Sequence, residues 1–431
     1  MTPIERAARR TFHSLQTRNF RLYFLGQVIS GTGSWMQLVA QAWLVLRLTH
    51  SGVALGLTLA LQFAPILLAG AWGGVIADRV DKRKLLIGTA AASGALALVL
   101  GAVTATGVVE VWMVYALAVS LGLVTAVDNP ARRSFVPEMV PATDVANAVG
   151  LNSTVFTAAR VVGPAIAGAV IPTLGVAWCF VLNGVSFVAV ILALRAMHSS
   201  ELSPAPVVER GRRQLRAGFQ YAWSSRPVRL ALVVTAIIGT LAFNYPVVLP
   251  LMATEEFGGD AATFGIMMAL LGAGSLVGAL WVAHFGRAST RIMLRATLAL
   301  GITMTAATLA PGLVTELLVL PTVGLTSMIL LSMATAVCNE ETAPEMRGRV
   351  MALLSIAFLG STPIGGPLVG WVSEALGPRA GLGIGAIAAL ATGIVALVVP
   401  LGTEASRKVV RRHAPFSGPG SRELPGGRVR A

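Results

Sequence analysis

The chain has 431 residues, of which 55% are hydrophobic and only 12% are charged, and its mean hydropathy is +0.75. About a quarter of the residues of a soluble globular chain are charged. Since so few charged side chains cannot cover a water-facing surface, the composition excludes a soluble protein and predicts an integral membrane protein. The net charge of +14 does not indicate nucleic-acid binding, because the basic residues form short clusters between long apolar runs.

The first half of the chain contains six apolar runs that are long enough to cross a bilayer, which takes about 20 residues each. A basic N-terminal segment over residues 1–18 precedes them. It has no small-residue cleavage pattern, and the first run is too long for a signal-peptide core, so we expect an uncleaved first helix. The N-terminal half therefore covers residues 19–196, with spans near residues 20–47, 53–77, 85–107, 110–129, 147–172 and 175–196.

Residues 197–228 are rich in Pro, Arg and Glu and predict a linker. Within it, Leu215, Phe219, Ala222 and Trp223 fall at helical spacing beside a basic complement that includes Arg212 and Arg213. This pattern favours a short amphipathic helix on the membrane surface, with a solvated tether as the alternative. The C-terminal half covers residues 229–401, and a Gly/Pro/Arg-rich tail over residues 402–431 is expected to be disordered. The six spans of this half lie near residues 229–252, 262–284, 291–311, 313–337, 348–374 and 379–401.

The distribution of charge predicts the orientation of the chain. If both termini are cytoplasmic, every one of the 33 Lys and Arg residues except Arg47, Arg160 and Arg379 lies on the cytoplasmic side. This asymmetry is the one that the positive-inside rule requires. We therefore expect a multi-pass protein of the cell membrane. The predicted outer loops carry acidic residues, which are Glu110, Glu255, Glu256, Asp260, Glu316 and Glu374.

The loop between the second and third spans carries the most specific motif. Residues 73–84 read GGVIADRVDKRK, a glycine, three residues, an aspartate and then a basic run. This motif and the two six-helix halves resemble the major facilitator superfamily. The resemblance implies an all-α fold of twelve helices with a substrate site near the membrane midplane, between the halves. It assigns a gating role at the cytoplasmic side to Gly74, Asp78, Arg79, Lys82, Arg83 and Asp128.

The resemblance also suggests how this gating loop works. Gly74 would let the loop turn tightly and a neighbouring helix approach closely, and Asp78 would cap a helix of the other half. Lys82 or Arg83 is the expected partner of Asp128 at the end of the fourth span. Two residues depart from the superfamily pattern, since Asp81 replaces a glycine and Lys82 an arginine. The alternative is that these charges only anchor the loop.

Several segments are similar to one branch of the superfamily, the transmembrane secretion effectors, which includes enterobactin-type siderophore exporters and macrolide efflux pumps. They are AVDNPARRSFVP at residues 126–137, residues 147–152, and RGRVM at residues 347–351. In the fifth span, Gly163, Pro164 and Gly168 resemble the antiporter motif of exporters. The resemblance implies a proton-coupled exporter of a drug, siderophore or secondary metabolite. The alternative is an importer or facilitative uniporter of a small metabolite.

Arg160 lies near the middle of the fifth span, where an arginine costs about 2.5–3.5 kcal/mol to insert. We expect it to face a water-filled cavity or an acid. It either contacts an anionic or carbonyl-bearing substrate, or takes part in proton coupling, or forms a structural lock to helix carbonyls or to an acid near the fourth span, for which Asp128 is the nearest candidate. Uncharged polar side chains are the other cavity candidates, with interhelical hydrogen bonding as the alternative. They are Gln27, Gln37, Gln41, Gln62, Asn152, Asn183, Asn244 and Tyr245.

The sequence offers no evidence for an enzyme. It contains no paired carboxylates, histidine cluster, nucleophile–base set or phosphate-binding loop, so we expect no cofactor and no metal. Cys179 and Cys338 stand alone in apolar segments and are expected to be buried. The expected partners are a small-molecule substrate, protons and membrane lipids, with no nucleic acid, and the protein is expected to be a monomer. Asp128, Glu340 and Glu341 are the acids that come closest to a proton carrier.

Overall fold

The computed structural model describes residues 12–203 and 214–398. Most of the predicted N-terminal segment, the linker stretch that contains Arg212 and Arg213, and the tail lie outside the described residues. Across the described ranges the chain forms helices and connecting turns, with no strand. The predicted all-α membrane fold is confirmed.

Six long helices joined by short connections form the N-terminal half. They are α1 (Arg18–Thr49), α2 (Gly52–Arg79), α3 (Lys82–Ala105), α4 (Val111–Phe135), α5 (Val145–Leu174) and α6 (Val176–Arg195). The helix ends follow the capping residues of the sequence. Ser51 accepts a hydrogen bond from Ala54 N at the start of α2, and Asp81 accepts one from Lys84 N at the start of α3.

A short linker helix, Gln214–Ser224, precedes the C-terminal half. Its Phe219 and Trp223 rings stack at 5.1 Å and are exposed, as the sequence pattern of an interfacial helix requires. The Tyr221 hydroxyl accepts a hydrogen bond from Ala343 N, which attaches the linker helix to the second half.

The C-terminal half also contains six long helices, two of them interrupted. They are α7 (Arg226–Glu256), α8 (Ala261–Phe285), α9 (Thr290–Thr308), α10 (Leu313–Glu340), α11 (Pro344–Leu376) and α12 (Pro378–Val398). In the described part of the chain, ten helices are long and apolar enough to cross a membrane. The two more polar helices are α1 and α9. Together these twelve long helices are consistent with the twelve predicted spans.

The two halves repeat one packing scheme. In the first half α2 packs on α4 and α3 packs on α6, and in the second half α8 packs on α10 and α9 packs on α12. The contacts between the halves follow the same symmetry, since α2 packs on α11 and α5 packs on α8. The parallel repeat that the sequence suggested is therefore visible in the pairing of the helices.

The turns of the bundle lie at two ends with opposite charge. The end formed by residues 80–81, 136–144, 286–289 and 341–343 carries the Arg and Lys clusters and is called the basic end. The other, the acidic end, is formed by residues 50–51, 106–110, 257–260, 309–312 and 377. At the acidic end Asp260 caps α8, and the hydrogen bonds from Thr263 hold the pKa of Asp260 below its usual value.

One acidic residue that the sequence assigned to an outer loop is buried instead. Glu316 lies in the first turn of α10 and is 0% exposed. The turn before α10 takes up only residues 309–312, so the helix begins before Glu316 and turns its side chain into the bundle. Large apolar side chains such as Leu68 and Trp72, each 77% exposed, cover the outside as lipid-facing residues do.

Candidate transport site between the two halves

The halves meet through glycines near the acidic end, where backbone lies on backbone. On the α2–α11 side, a Cβ atom at Gly56 would lie 2.2 Å from the carbonyl oxygen of Gly366, and one at Gly370 would lie 2.1 Å from that of Gly52. On the α5–α8 side, a Cβ atom at Gly265 would lie 2.5 Å from the Cα atom of Gly168. These contacts leave no room for side chains, and we call them the glycine interface.

A carboxylate adds a second contact between the two halves at the acidic end, beside the glycine interface. Glu374 of α11 accepts hydrogen bonds from Ser51 Oγ at 2.6 Å and from Val53 N at 3.1 Å. It therefore caps the first turn of α2, where the helix dipole favours a negative charge. The superfamily resemblance assigned this kind of role to Asp78 at the basic end, and the matching contact at the acidic end was not predicted.

The glycine interface extends to the middle of the bundle and reaches Arg160. A Cβ atom at Gly272 of α8 would lie 2.4 Å from the Arg160 carbonyl oxygen. The residues of the antiporter-like motif predicted in the fifth span, now called the helix-5 motif, account for this geometry. Gly163 packs on α1, where a Cβ atom would lie 2.6 Å from Trp35 Cβ, and Gly168 packs on α8 of the other half. Pro164 lies inside α5, which stays helical through it.

The Arg160 side chain lies between aromatic groups of the two halves. Its guanidinium carbon is 5.1 Å from the centre of the Trp35 ring, a cation–π distance, and Trp35 packs edge-on against Phe156 at 5.9 Å. Tyr245 of the second half is close enough to interact with Arg160 electrostatically. Within residues 12–203 and 214–398, no carboxylate pairs with Arg160. The predicted alternative of a lock to Asp128 is therefore not what the structure shows.

Opposite Arg160, helix α7 is interrupted. The chain is non-helical over residues 242–244, between the segments Arg226–Leu241 and Tyr245–Leu251. The Tyr245 hydroxyl hydrogen-bonds Ser327 Oγ at 3.0 Å, and Asn244 donates from Nδ2 to the Thr240 carbonyl at 2.7 Å. Among the described residues, the Oδ1 atom of Asn244 is buried without a hydrogen-bond partner. The break thus lies beside Tyr245, which interacts electrostatically with the arginine of the first half.

The other predicted amides form hydrogen bonds within the N-terminal half. Asn183 donates to Gln37 Oε1 at 2.6 Å in the contact between α6 and α1, and Gln41 donates to Gln62 Oε1 at 3.3 Å between α1 and α2. Gln27 accepts a hydrogen bond from Arg132 near the basic end. Gln41 and Gln62 also line a small cavity together with Pro246 of the second half, so these two amides lie beside the break in α7. Asn152 lies on α5, two turns from Arg160 towards the basic end.

The predicted pairing of Asp128 at the basic end is wrong. Asp128 accepts hydrogen bonds from Arg132 Nε at 2.8 Å, from Arg132 Nη2 at 2.6 Å and from Thr89 Oγ1 at 2.7 Å. Lys82 pairs with Glu138 instead, and Arg83 donates to the Leu194 and Arg195 carbonyls at 2.6 and 2.8 Å. Arg132 pairs with Asp128 because the two residues lie one turn apart on the same helix. Lys82 and Arg83 lie at the start of α3, which faces the Val136–Met139 turn and the end of α6 instead.

The glycines of the gating loop also differ from the prediction. Gly74 lies inside α2, which continues to Arg79, so no turn occurs there. The close approach is made by Gly73, where a Cβ atom would lie 2.1 Å from the Ala126 carbonyl of α4. Asp81 occupies the usual glycine position because it serves as the N-cap of α3. Asp78 and Arg79 form the last turn of α2, and a contact of Asp78 with the other half stays a prediction.

The Asp128–Arg132 pair is expected to contribute strongly to stability. The two side chains are only 13% and 24% exposed, so Asp128→Asn would leave the Arg132 charge poorly paired in a low-dielectric region. We expect a loss of about 3 kcal/mol in the free energy of unfolding, measured as a lower midpoint of thermal unfolding in detergent. Asp81→Asn is the matched control, because asparagine caps a helix as well as aspartate does. Equal midpoints in the two variants would contradict this role of the pair.

Two pseudo-symmetric six-helix halves that meet at a midspan arginine define a membrane transporter of the major facilitator type. The family model described as transmembrane secretion effector matches residues 9–422, so the chain belongs to that family. The branch that the sequence motifs indicated is therefore confirmed. The chain is a multi-pass protein of the plasma membrane, as its bacterial relatives are.

The chain is similar to several bacterial transporters. It is 25% identical to enterobactin exporter EntS of Escherichia coli O1:K1 / APEC, over 88% of this chain and 91% of that protein. It is 25% identical to macrolide efflux protein A of Streptococcus pyogenes, over 80% and 87%. It is also 24% identical to the staphyloferrin A transporter of Staphylococcus aureus, over 60% of this chain and 66% of that protein.

Solved structures share the fold. An inward-facing bacterial homologue of the lysosomal transporter Spinster has a TM-score of 0.67 at 14% identity, covering 88% of this chain and 94% of that one. A POT family transporter in complex with 5-aminolevulinic acid has a TM-score of 0.71 at 10% identity, covering 89% and 96%. At such identities the likeness concerns the fold alone.

Proposed function

We propose that this chain is a proton-coupled exporter of small amphipathic molecules, such as a drug, siderophore or secondary metabolite, that works by alternating access. The observation that carries the proposal is the Arg160 guanidinium, which lies near the contact between the halves without a carboxylate partner among the described residues. A midspan arginine without a carboxylate is costly, and such residues commonly mark substrate or ion pathways. A substrate that brings its own acceptor oxygen would satisfy it.

We infer the chemistry of the substrate from Arg160 and from the aromatic and polar side chains at the break in α7. Trp35 and Phe156 offer aromatic faces from the first half, and Phe243 packs against Phe358 at 5.8 Å in the second. Asn244 adds an unpaired acceptor. This mixture of aromatic walls and a few polar atoms fits an amphipathic molecule with an anionic or carbonyl oxygen for Arg160 and a donor group for Asn244.

The position of the glycine interface supports alternating access. The halves pack from the acidic end to the level of Arg160 and Gly272. If the basic end is cytoplasmic, as the charge distribution favours, both termini are inside and this arrangement is the inward-facing state. In the opposite state we propose that the gating loop from Gly74 to Arg83 contacts the second half, with Asp78 at a helix start. One chain contains both halves, so a monomer is sufficient.

Export is favoured over import by two observations. The relatives that the chain matches over most of their length are called an enterobactin exporter, a macrolide efflux protein and, in Mycolicibacterium fortuitum, a multidrug efflux pump. The glycines of the helix-5 motif also form the contact between the halves, with Gly168 on Gly265. An exporter motif therefore coincides with the part of the fold that has to move.

The experiment is an accumulation assay in bacterial cells that express the full chain or carry an empty vector. Enterobactin and erythromycin are the two probes, each tested with and without a protonophore. We expect lower intracellular probe in the expressing cells and recovery of the empty-vector level when the protonophore is added. Higher accumulation in the expressing cells would favour the importer instead. Lower accumulation that survives the protonophore would refute proton coupling and leave export standing.

A further inference from the structure

Glu316 is a buried carboxyl group that is not part of the proposed transport site. It lies in the first turn of α10 at the acidic end and is 0% exposed. Both of its carboxyl oxygens are buried and have no hydrogen-bond partner among the described residues. An ionised carboxylate in such surroundings would lose its hydration with nothing to replace it. The surroundings therefore accommodate the neutral, protonated form of the side chain.

Arg379 is the charged group that interacts electrostatically with Glu316. It lies at the start of α12, where its Nε donates to Glu256 Oε2 at 2.8 Å and its Nη1 donates to the Thr308 carbonyl at 3.3 Å. The arginine therefore has two carboxyl groups within its range, of which it pairs with one. Three helices meet in this arrangement, since Glu256 ends α7, Glu316 begins α10 and Arg379 begins α12.

The other charged groups at the acidic end belong to neighbouring helices. Asp260 caps α8 and is bound by Thr263. Glu255 lies beside Glu256 on α7 and interacts electrostatically with Glu256, with Glu374 of α11 and with His50. From α9, the described residues contribute the Thr308 carbonyl. A change in the charge of Glu256 is thus felt by Glu255, which also interacts with Glu374, the residue that joins α11 to the start of α2.

We propose that Glu316 is a proton-binding site that couples protons to the opening of the acidic end, an inference that rests on the proposed proton-coupled function. When Glu316 loses its proton towards the basic end, the new carboxylate attracts Arg379 away from Glu256. The unpaired Glu256 charge then repels Glu255, Glu255 in turn repels Glu374, and the contact of Glu374 with Ser51 and Val53 weakens. Once the acidic end is open, Glu316 takes up a proton from the water there, and Arg379 returns to Glu256. The only covalent bond that breaks and forms again is the O–H bond of Glu316, and each cycle moves one proton from the acidic side to the basic side.

The first test observes the proton directly. Infrared spectra of the purified full chain are recorded across a pH titration for the wild type, Glu316→Gln and the control Glu110→Gln. Glu110 is an exposed acid of the same end, bound by Trp112 Nε1 at 2.7 Å. We expect the carbonyl stretch of a protonated carboxyl group near neutral pH in the wild type and in Glu110→Gln, and its loss in Glu316→Gln. A band that persists in Glu316→Gln would overturn the assignment.

The second test separates coupling from binding. Proteoliposomes with each variant are assayed for enterobactin movement driven by a pH gradient and for exchange of enterobactin across the membrane without a gradient. Glu316→Gln should lose gradient-driven movement and keep exchange, while Glu110→Gln keeps both. Gradient-driven movement at the wild-type rate in Glu316→Gln would overturn the inference. If the wild type itself moves no probe in response to the gradient, the proposed function fails, and the infrared titration still decides whether Glu316 holds a proton.

Discussion

Arg160→Gln is expected to abolish export while leaving the chain folded in the membrane. The guanidinium lies over Trp35 at 5.1 Å and has no carboxylate partner among the described residues. Its removal takes away the charged donor that a substrate oxygen would meet, a contact worth about 1.5–3 kcal/mol. That loss corresponds to a weakening of substrate binding by roughly ten- to a hundredfold.

The measurement pairs probe efflux from cells with the binding affinity of the purified protein for the same probe. Arg160→Lys should retain part of both, because lysine keeps the charge and loses the planar stacking on Trp35. The matched control is Arg47→Gln, at an exposed arginine near the acidic end of α1.

A purely structural role of Arg160 predicts a different result. If it only locks helix carbonyls, Arg160→Gln would lower the midpoint of thermal unfolding and leave efflux per folded molecule unchanged. If it contacts substrate, the variant should insert at least as well as the wild type, since a midspan arginine is costly. Expression level, unfolding midpoint and efflux therefore separate the two readings.

Hydropathy and charge predicted the helices well because they distinguish the segments that lie in lipid from those that lie in water. The second span was expected over residues 53–77 and runs over Gly52–Arg79, between its N-cap Ser51 and its C-cap Val80. The interruptions of α7 and α11 were missed. Each is followed by a proline, Pro246 and Pro363, and the residue before a proline disfavours helical backbone. The same signal occurs at Pro164, where α5 stays helical, so a proline alone would not have located the breaks.

Side-chain partners could not be predicted in the same way, because they depend on which faces of distant helices meet. The spacing of Asp128 and Arg132 on one helix was available, and an i,i+4 pair would have been the better expectation for Asp128. Glu374 and Glu316 are different. Both are acids near helix ends, yet one caps the other half and one is fully buried. Only the packing of the bundle distinguishes them.

Gly56→Ala is expected to shift the chain towards a state in which the acidic end is open. In the present arrangement the new methyl group would lie 2.2 Å from the Gly366 carbonyl oxygen and 2.4 Å from its carbon. Both atoms belong to backbone, so neither can rotate away, and the halves must separate there. Overpacking of this kind costs about 1–3 kcal/mol, which changes the ratio of two conformations roughly 5- to 150-fold.

Gly70→Ala supplies a control on the same helix, because a Cβ atom there would meet nothing within 4 Å. Both variants gain the same helix propensity, so any difference between them reports on the contact between the halves. Spin labels at Thr106 and Leu309, at the acidic end of α3 and α9, would measure the separation of the halves. The labelling background would carry alanine at the buried free cysteines Cys179 and Cys338.

We expect longer label distances and loss of efflux in Gly56→Ala, and wild-type behaviour in Gly70→Ala. This outcome would connect transport to the separation of the halves, because the added methyl group acts only where α2 meets α11. A Gly56→Ala chain with unchanged distances and unchanged efflux would contradict alternating access about the glycine interface. The backbone of α2 would then have to yield locally, and the closure at the acidic end would depend on Glu374 and not on the close approach of the helices.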